Sequence, residues 1–251
     1  MCVVSIAWHA HPRWQLIVAG NRDEFHARPA TPLGPWADDP SIIAGRDILS
    51  QGTWLGVSHT GRFGVVTNIR NPEGPDPRKA SRGALVTDWL ARGSFPDILD
   101  KFNPFSLMIG DQHGLQYVSN RPNDIWASLG HGVHGISNAV QDELWPRKER
   151  LNGALRGWLS GSAEDPTTLF GILGDAHSTH ADAHPIFIRD AVYGTRCNTI
   201  LAVGRDGVGR IMERRFDSAG NALGESTEAF NWAPSTSDKV AHRNDQHDDR
   251  K

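Results

Sequence analysis

Met1-Cys2-Val3-Val4-Ser5-Ile6-Ala7-Trp8 and Leu16-Ile17-Val18-Ala19-Gly20-Asn21-Arg22-Asp23-Glu24 decide how this chain reads. Both arms are dense in β-formers, and Pro12 in the connecting His9-Ala10-His11-Pro12-Arg13 forbids one continuous strand. The pair is expected to form a β-hairpin. Its second arm ends in four consecutive polar residues, Asn21 to Glu24, where a strand would ordinarily turn. Antiparallel pairing would bring that cluster beside Cys2. Polar groups gathered at a buried strand end are costly unless they are used, so the convergence points to a site.

Cys2 is the candidate nucleophile. Methionine is commonly trimmed before a small residue, and trimming would leave one residue with both a thiol and a free α-amine. The amine titrates at about 7.7–8.0, so it is partly a neutral base near pH 7. The thiol titrates at about 8.5 and deprotonates readily beside a base or a cation. Nucleophile and base then sit on one residue. The competing reading is a small apolar side chain heading a buried strand. Arg22 is the cation placed to lower the thiol pKa. Asp23 or Glu24 would orient the N-terminus, and the sequence leaves that choice open.

Further stretches follow in order: Gly52-Thr53-Trp54-Leu55-Gly56-Val57, Val66-Thr67-Asn68-Ile69-Arg70, Ser81-Arg82-Gly83, Gly135-Ile136-Ser137-Asn138-Ala139 and Gly194-Thr195-Arg196. Together with Met1-Cys2 and Asn21-Arg22-Asp23-Glu24, over about residues 1–217, the set resembles the NRDE family, also called the transport and Golgi organisation protein family. The resemblance implies the four-layer α-β-β-α fold of the N-terminal nucleophile (Ntn) hydrolases. Within them it implies the branch of choloylglycine hydrolases and penicillin V acylases, which are amidases with an N-terminal Cys. It also implies roles. Cys2, Arg22 and Asp23 would form the catalytic strand end. Asn68 and Asn138 would bind the substrate carbonyl or its oxyanion, and Arg196 would stand near the nucleophile. Asn21, Glu24 and Trp54 would contact substrate. Two functions follow: hydrolysis of an amide or (thio)ester of a small or acyl-bearing substrate without a cofactor, or a non-catalytic carrier of haem or acyl-CoA and lipid. For haem the sequence has no Cys-x-x-Cys-His attachment motif. Nothing in the sequence marks an axial ligand, and His9 or His59 in that role would be a guess.

Composition bounds these readings. The 251 residues suit one α+β domain, expected over 1–232, with a Ser/Thr/Asp/His-rich tail over 233–251 expected to be disordered. A net charge of −3 argues against a nucleic-acid partner held by a basic surface. Cys2 and Cys197 are too few and too far apart for a disulfide framework, which points to a reducing, cytoplasmic setting. No apolar run reaches the roughly 18 residues of a membrane span, and no signal-like leader is seen. The nine Trp are expected in core and loop packing. His177, His180 and His184 could hold a metal, but no carboxylate-rich helix frames them, and a loop is the expectation.

Along the chain, residues 25–40 carry four prolines and predict an extended loop. Strands are expected at 42–45, 53–57 and 63–68. Ser81 is expected to cap a helix to Arg92 with Gly93 as stop, and Ser94 a second helix over 95–102. A hairpin follows over 105–119, then strands at 125–129 and 134–137. Helices are expected from Asp142 to Trp158 and after Asp165-Pro166. Strands at 197–203 and 209–216 close the fold around Arg205-Asp206-Gly207. This succession predicts two mainly antiparallel sheets with helices on their outer faces.

Overall fold

The computed structural model describes residues 2–140, 145–162, 164–177 and 185–232. The opening hairpin is β1 (Val3–Trp8) and β2 (Trp14–Phe25). Then come β3 (Gly34–Pro35), β4 (Ile42–Ala44), β5 (Leu55–Ser58), β6 (Arg62–Asn68) and helix α1 (Arg82–Arg92). The strands β7 (Phe105–Asp111), β8 (Gly114–Ser119), β9 (Ile125–Leu129) and β10 (Gly132–Ile136) precede α2 (Pro146–Ser160) and α3 (Leu169–Leu173). The chain closes with β11 (Tyr193–Gly204), β12 (Val208–Phe216) and β13 (Ala222–Asn231).

Two antiparallel sheets result. The first has the order β10-β1-β2-β11-β12-β13, the second β3-β4-β5-β6-β7-β8-β9. Three apolar layers bind four structural ones. Between the sheets lie Val4, Ile6, Leu16, Val18, Val57, Phe63, Met108 and Tyr117. On the far side of the first sheet, Leu151, Leu155 and Trp158 of α2 and Leu169 and Leu173 of α3 cover Val3, Ile17, Ala19 and Ile200. On the far side of the second, Leu85, Val86 and Leu90 of α1 cover Ile42, Val66, Leu107 and Ile109. Each large side chain buried this way contributes roughly 1.5–3 kcal/mol. The architecture is therefore the expected α-β-β-α sandwich.

α1 forms as its sequence predicts. Ser81 accepts a hydrogen bond from the Gly83 amide, and Gly93 ends the helix in the left-handed region at φ 63°. Two expectations need correction, and one connection departs from simple succession. The helix expected over 95–102 is only a 3₁₀ turn at Leu99–Lys101. Phe95 instead packs edge-on against Trp126, 4.9 Å between centroids, which draws the segment across the sheet. The strands β9 and β10 are not neighbours; each forms an edge of a different sheet, so the Gly130-His131 connection crosses the sandwich. The polar stretch after Asn221 is strand β13, paired with β12 from Phe216↔Ala222 to Val208↔Asn231. It is an edge strand whose side chains mostly face solvent, so it needs no apolar pattern; Phe230 and Trp232 pin its end in the core. The start of the expected helix at Asp142 and the tail over 233–251 lie outside the described residues. No helix among the described residues is long and apolar enough to cross a membrane.

Candidate functional site

Cys2 precedes β1, and the β1–β2 register pairs Val3 with Asn21, so one further step sets Cys2 opposite Arg22. Along β2 the side chains alternate. Leu16, Val18, Arg22 and Glu24 face the space between the sheets; Ile17, Ala19, Asn21 and Asp23 face the helices. On β11, the partner of β2, the pairing shifts between Thr195↔Asp23 and Cys197↔Arg22. Arg196 is the extra residue of this bulge, and both it and Cys197 line the same side as Arg22.

These side chains open on a cleft of about 540 Å³. Cys2, Arg22 and Glu24 stand on one wall. Thr53, Trp54, Asn68, Ser81 and Arg82 stand on the other, and Asn138 and Asp47 also contribute. The approach of α1 to the loop before β5 is close. A Cβ on Gly52 would lie 2.6 Å from the Gly83 carbonyl carbon, so only glycine lets the start of α1 reach the cleft.

The half-buried Cys2 thiol donates a long hydrogen bond of 3.8 Å to the Asp23 carbonyl. Burial pushes the thiol up from its ordinary range. The chain's positive terminus and Arg22 oppose that push, and Asp23 reinforces it. Arg22 does act to lower the thiol as expected, but burial outweighs it. Part of the Arg22 charge is answered by Asp47 at 3.2 Å and Glu24 at 3.8 Å, while desolvation acts in full. Cys197 is pushed up further, by burial and by Glu213 beside it.

Asn68 lies at the end of β6 with its side chain exposed, and its carbonyl accepts a 2.6 Å hydrogen bond from the Asn138 amide. Asn138 is buried, and its Oδ1 has no hydrogen-bond partner among the described residues. Trp54 lines the cleft with its ring against Gly20. Arg196 donates from Nη1 to the carbonyls of Phe25 (3.0 Å) and Arg28 (2.9 Å), which straps down the loop after β2.

Two expected site residues point elsewhere. Asn21 is fully buried on the helix side. It donates to the carbonyls of Leu173 (2.9 Å) and Ile186 (2.8 Å) and accepts from Asn198 at 2.6 Å. It ties α3 to the sheet and does not line the cleft. The Asp23 carboxylate also faces the helices, where it meets Arg147 at 2.5 Å and Thr195 at 2.7 Å. Asp23 meets the Cys2 thiol through its main-chain carbonyl, which also accepts from the Tyr193 hydroxyl at 2.9 Å. Of the two acidic residues left open by the sequence, Glu24 presents its carboxylate to the cleft side, 3.8 Å from Arg22 and 3.9 Å from Arg28. The strict alternation of a strand is the reason: only one of two consecutive residues can face a given side.

Sequence reasoning did not single out Arg28, Asp47, Arg82 or Arg147. Asp47 anchors its own loop, accepting from Ser50 and Leu49 amides and pairing with Arg28 at 2.5 Å. Burial works against its charge, but Arg28 and the Ser50 groups outweigh it and hold the carboxyl below its ordinary value. Arg82 belongs to the Ser81-Arg82-Gly83 motif, which carries no local mark of a cleft role. Arg147 carried no signal, since an Arg in the first turn of a helix is ordinarily solvated.

Neither His9 nor His59 lines the cleft; His9 stacks on His131 at 4.9 Å. The cleft walls therefore offer haem no axial histidine among the described residues. Those residues also contain no group of three or more His, Cys, Asp or Glu suited to a metal ion. His180 and His184 lie outside them.

A family model, Transport and Golgi organisation 2, matches residues 1–218. The mouse Transport and Golgi organization 2 homolog is 28% identical over 85% of this chain and 92% of its own length. Among solved structures, a Caenorhabditis elegans ortholog of N-acylethanolamine-hydrolyzing acid amidase superposes with a TM-score of 0.51 at 10% identity, covering 80% of this chain and 92% of that one. A mutant conjugated bile acid hydrolase from Clostridium perfringens gives 0.50 at 8% identity, covering 92% of each chain. These two share the Ntn-hydrolase fold with the present chain.

Proposed function

The chain belongs to the Transport and Golgi organisation 2 family and has an Ntn-hydrolase-like fold, and on that premise we propose that it hydrolyses an amide or (thio)ester through Cys2. The observation that carries the reading is the Cys2 thiol at the head of β1, opening into a cleft it shares with Asn68, Asn138, Trp54 and Arg82. In the proposed reaction, removal of Met1 frees the Cys2 amine. The amine takes the thiol proton as sulfur attacks the substrate carbonyl carbon. The tetrahedral oxyanion is met by the Asn138 amide, a contribution of about 3 kcal/mol for a donor so placed. The C–N, C–S or C–O bond then breaks, and the leaving group departs with the proton held by the amine. Water, deprotonated by the same amine, attacks the thioester and releases a carboxylic acid and free Cys2.

The test combines mass and turnover. Intact mass should show loss of one Met; uniform retention would sink the amine-base step. Cys2→Ala and wild type are then offered acyl amides, acyl-homoserine lactones, acyl-CoA and haem. Wild type should cleave one of them through an adduct on Cys2, while Cys2→Ala binds it and turns over at least about a hundredfold more slowly. Full rate in Cys2→Ala overturns the reading. So does binding of haem or acyl-CoA by both proteins with nothing cleaved, the outcome expected of a carrier.

A further inference from the structure

The charges lining the cleft do not balance. Arg46 is paired with Asp38, Lys79 with Asp100, Asp76 with Arg78, and Arg215 approaches Glu213 at 3.9 Å. Asp23 turns its carboxylate to Arg147 behind the sheet. What remains is four guanidiniums, Arg22, Arg28, Arg82 and Arg196, against two carboxylates, Glu24 and Asp47. Arg22 and Arg28 both approach both of those carboxylates. Arg82 and Arg196 have no carboxylate within ion-pair distance among the described residues; their hydrogen bonds run only to main-chain carbonyls. Two positive charges are left over on a half-buried wall, where unpaired charge is costly.

The two unpaired cations belong to one constellation. Arg82 lies in the field of Cys2, Glu24 and Arg28, and Arg196 in that of Arg22, Cys197 and Glu24. Glu24 is common to both. Burial pushes both guanidiniums down from their ordinary value, and the Glu24 charge opposes that push at each. Arg82 is also the first residue of α1, an 11-residue helix whose Ser81–Gly83 start lines the cleft, so the positive helix end adds to the same region. Arg196 reaches this wall only because the β11 bulge turns it there. The planar fork of arginine suits carboxylate and phosphate oxygens.

We propose that Arg82 and Arg196 form an anion subsite in the cleft that binds a carboxylate or phosphate carried by the substrate. The subsite defines the substrate class of the proposed hydrolase: an acyl compound with an anionic group near the scissile carbonyl. Its meaning for catalysis rests on that reading, but binding at the subsite does not require Cys2 chemistry.

Two measurements on the full chain test it. Calorimetric titration with sodium pyrophosphate and with succinate separates a phosphate source from a carboxylate one. Wild type and Cys2→Ala should both bind at least one probe. Arg82→Gln and Arg196→Gln should each weaken it about ten- to a hundredfold, the loss of one charge-assisted contact. Arg13→Gln, outside the cleft and paired with Glu164, should bind like wild type. The second measurement is the ratio of Cys2 alkylation rates with iodoacetate and iodoacetamide. Any change in thiol ionisation cancels in the ratio. The anionic reagent should be favoured in wild type relative to a small thiol in solution, and the preference should vanish in Arg82→Gln. Should Arg82→Gln fail to fold, Arg196→Gln carries the same readings. Failure of wild type to bind either probe, or unchanged affinity in the glutamine variants, overturns the subsite. Probe binding without any hydrolysis of acyl substrates would leave it standing and count against the Cys2 reaction alone.

Discussion

Removing the guanidinium of Arg147 is the sharpest test of how the strand end beside Cys2 is held. Its side chain is 2% exposed and the Asp23 carboxylate 0%, so this ion pair sits inside the protein between α2 and β2. Arg147 also donates to the Ile186 carbonyl at 2.5 Å, and Asp23 accepts from Thr195 at 2.7 Å, so the pair is embedded in further hydrogen bonds. Arg147→Ala takes the Arg147 cation away from the buried Asp23 carboxylate, which costs about 3–5 kcal/mol. A domain of this size loses roughly 2–4 °C of Tm per kcal/mol, so the melting midpoint should fall by roughly 6–20 °C. Urea unfolding should report the same loss in midpoint with an unchanged slope. The companion is Asp23→Leu/Arg147→Met, which replaces both charges with apolar volume and should recover most of the loss. Because the Asp23 carbonyl meets the Cys2 thiol, Arg147→Ala should also speed alkylation of Cys2 by loosening that strand end. An Arg147→Ala protein within about 1 kcal/mol of wild type, or a double variant no better than the single, would refute the reasoning.

Three further outcomes are expected. Both thiols are held above their ordinary range, so alkylation should accelerate as pH rises, with Cys2 labelled before the more deeply buried Cys197; earlier labelling of Cys197, read by peptide mass, would contradict the site geometry. Gly52→Ala drives a Cβ into the Gly83 backbone and should cost about 1–3 kcal/mol in thermal unfolding, since backbone on both sides leaves nothing flexible to yield; a neutral change would mean α1 is free to retreat from the cleft. Burial raises the Glu213 carboxyl above 4.5, so the folded state holds its proton more tightly than the unfolded one, and the stability this confers at low pH is lost as pH climbs through the raised pKa. Glu213→Gln keeps an acceptor for the Leu33 amide and should remove that decline, while parallel wild-type and variant pH–stability curves would disprove it.

Much of the fold was legible before any coordinates. The β1–β2 hairpin, the capped α1 and the closing β11–β12 hairpin each carry their instructions locally: β-formers around Pro12, Ser81 and Gly93 at the helix ends, Asp206-Gly207 at the turn. Hydrophobic spacing placed helices and strands, and the succession of elements predicted two sheets with outer helices. The ordered motifs assigned the family and directed attention to Cys2, Asn68, Asn138 and Arg196, all of which line one cleft. Strand β13 was hidden because an edge strand draws its hydrogen bonds from β12 and can leave its side chains polar.

What the sequence by itself determined is most of the elements and the arrival of the Asn21–Glu24 strand end beside Cys2. Which of those four residues face the thiol was left to tertiary structure, because consecutive strand residues point to opposite faces and only the packing of α2 and α3 says which face is covered. That packing turns Asn21 and the Asp23 carboxylate toward the helices and leaves Arg22 and Glu24 toward the cleft. The pairing of Asp23 with Arg147, 124 positions away, the excess of guanidiniums in the cleft, and a Cys2 thiol raised rather than lowered arise the same way. Charge and desolvation act across space, and the sum of fields at one atom is set by neighbours that the chain order does not bring together.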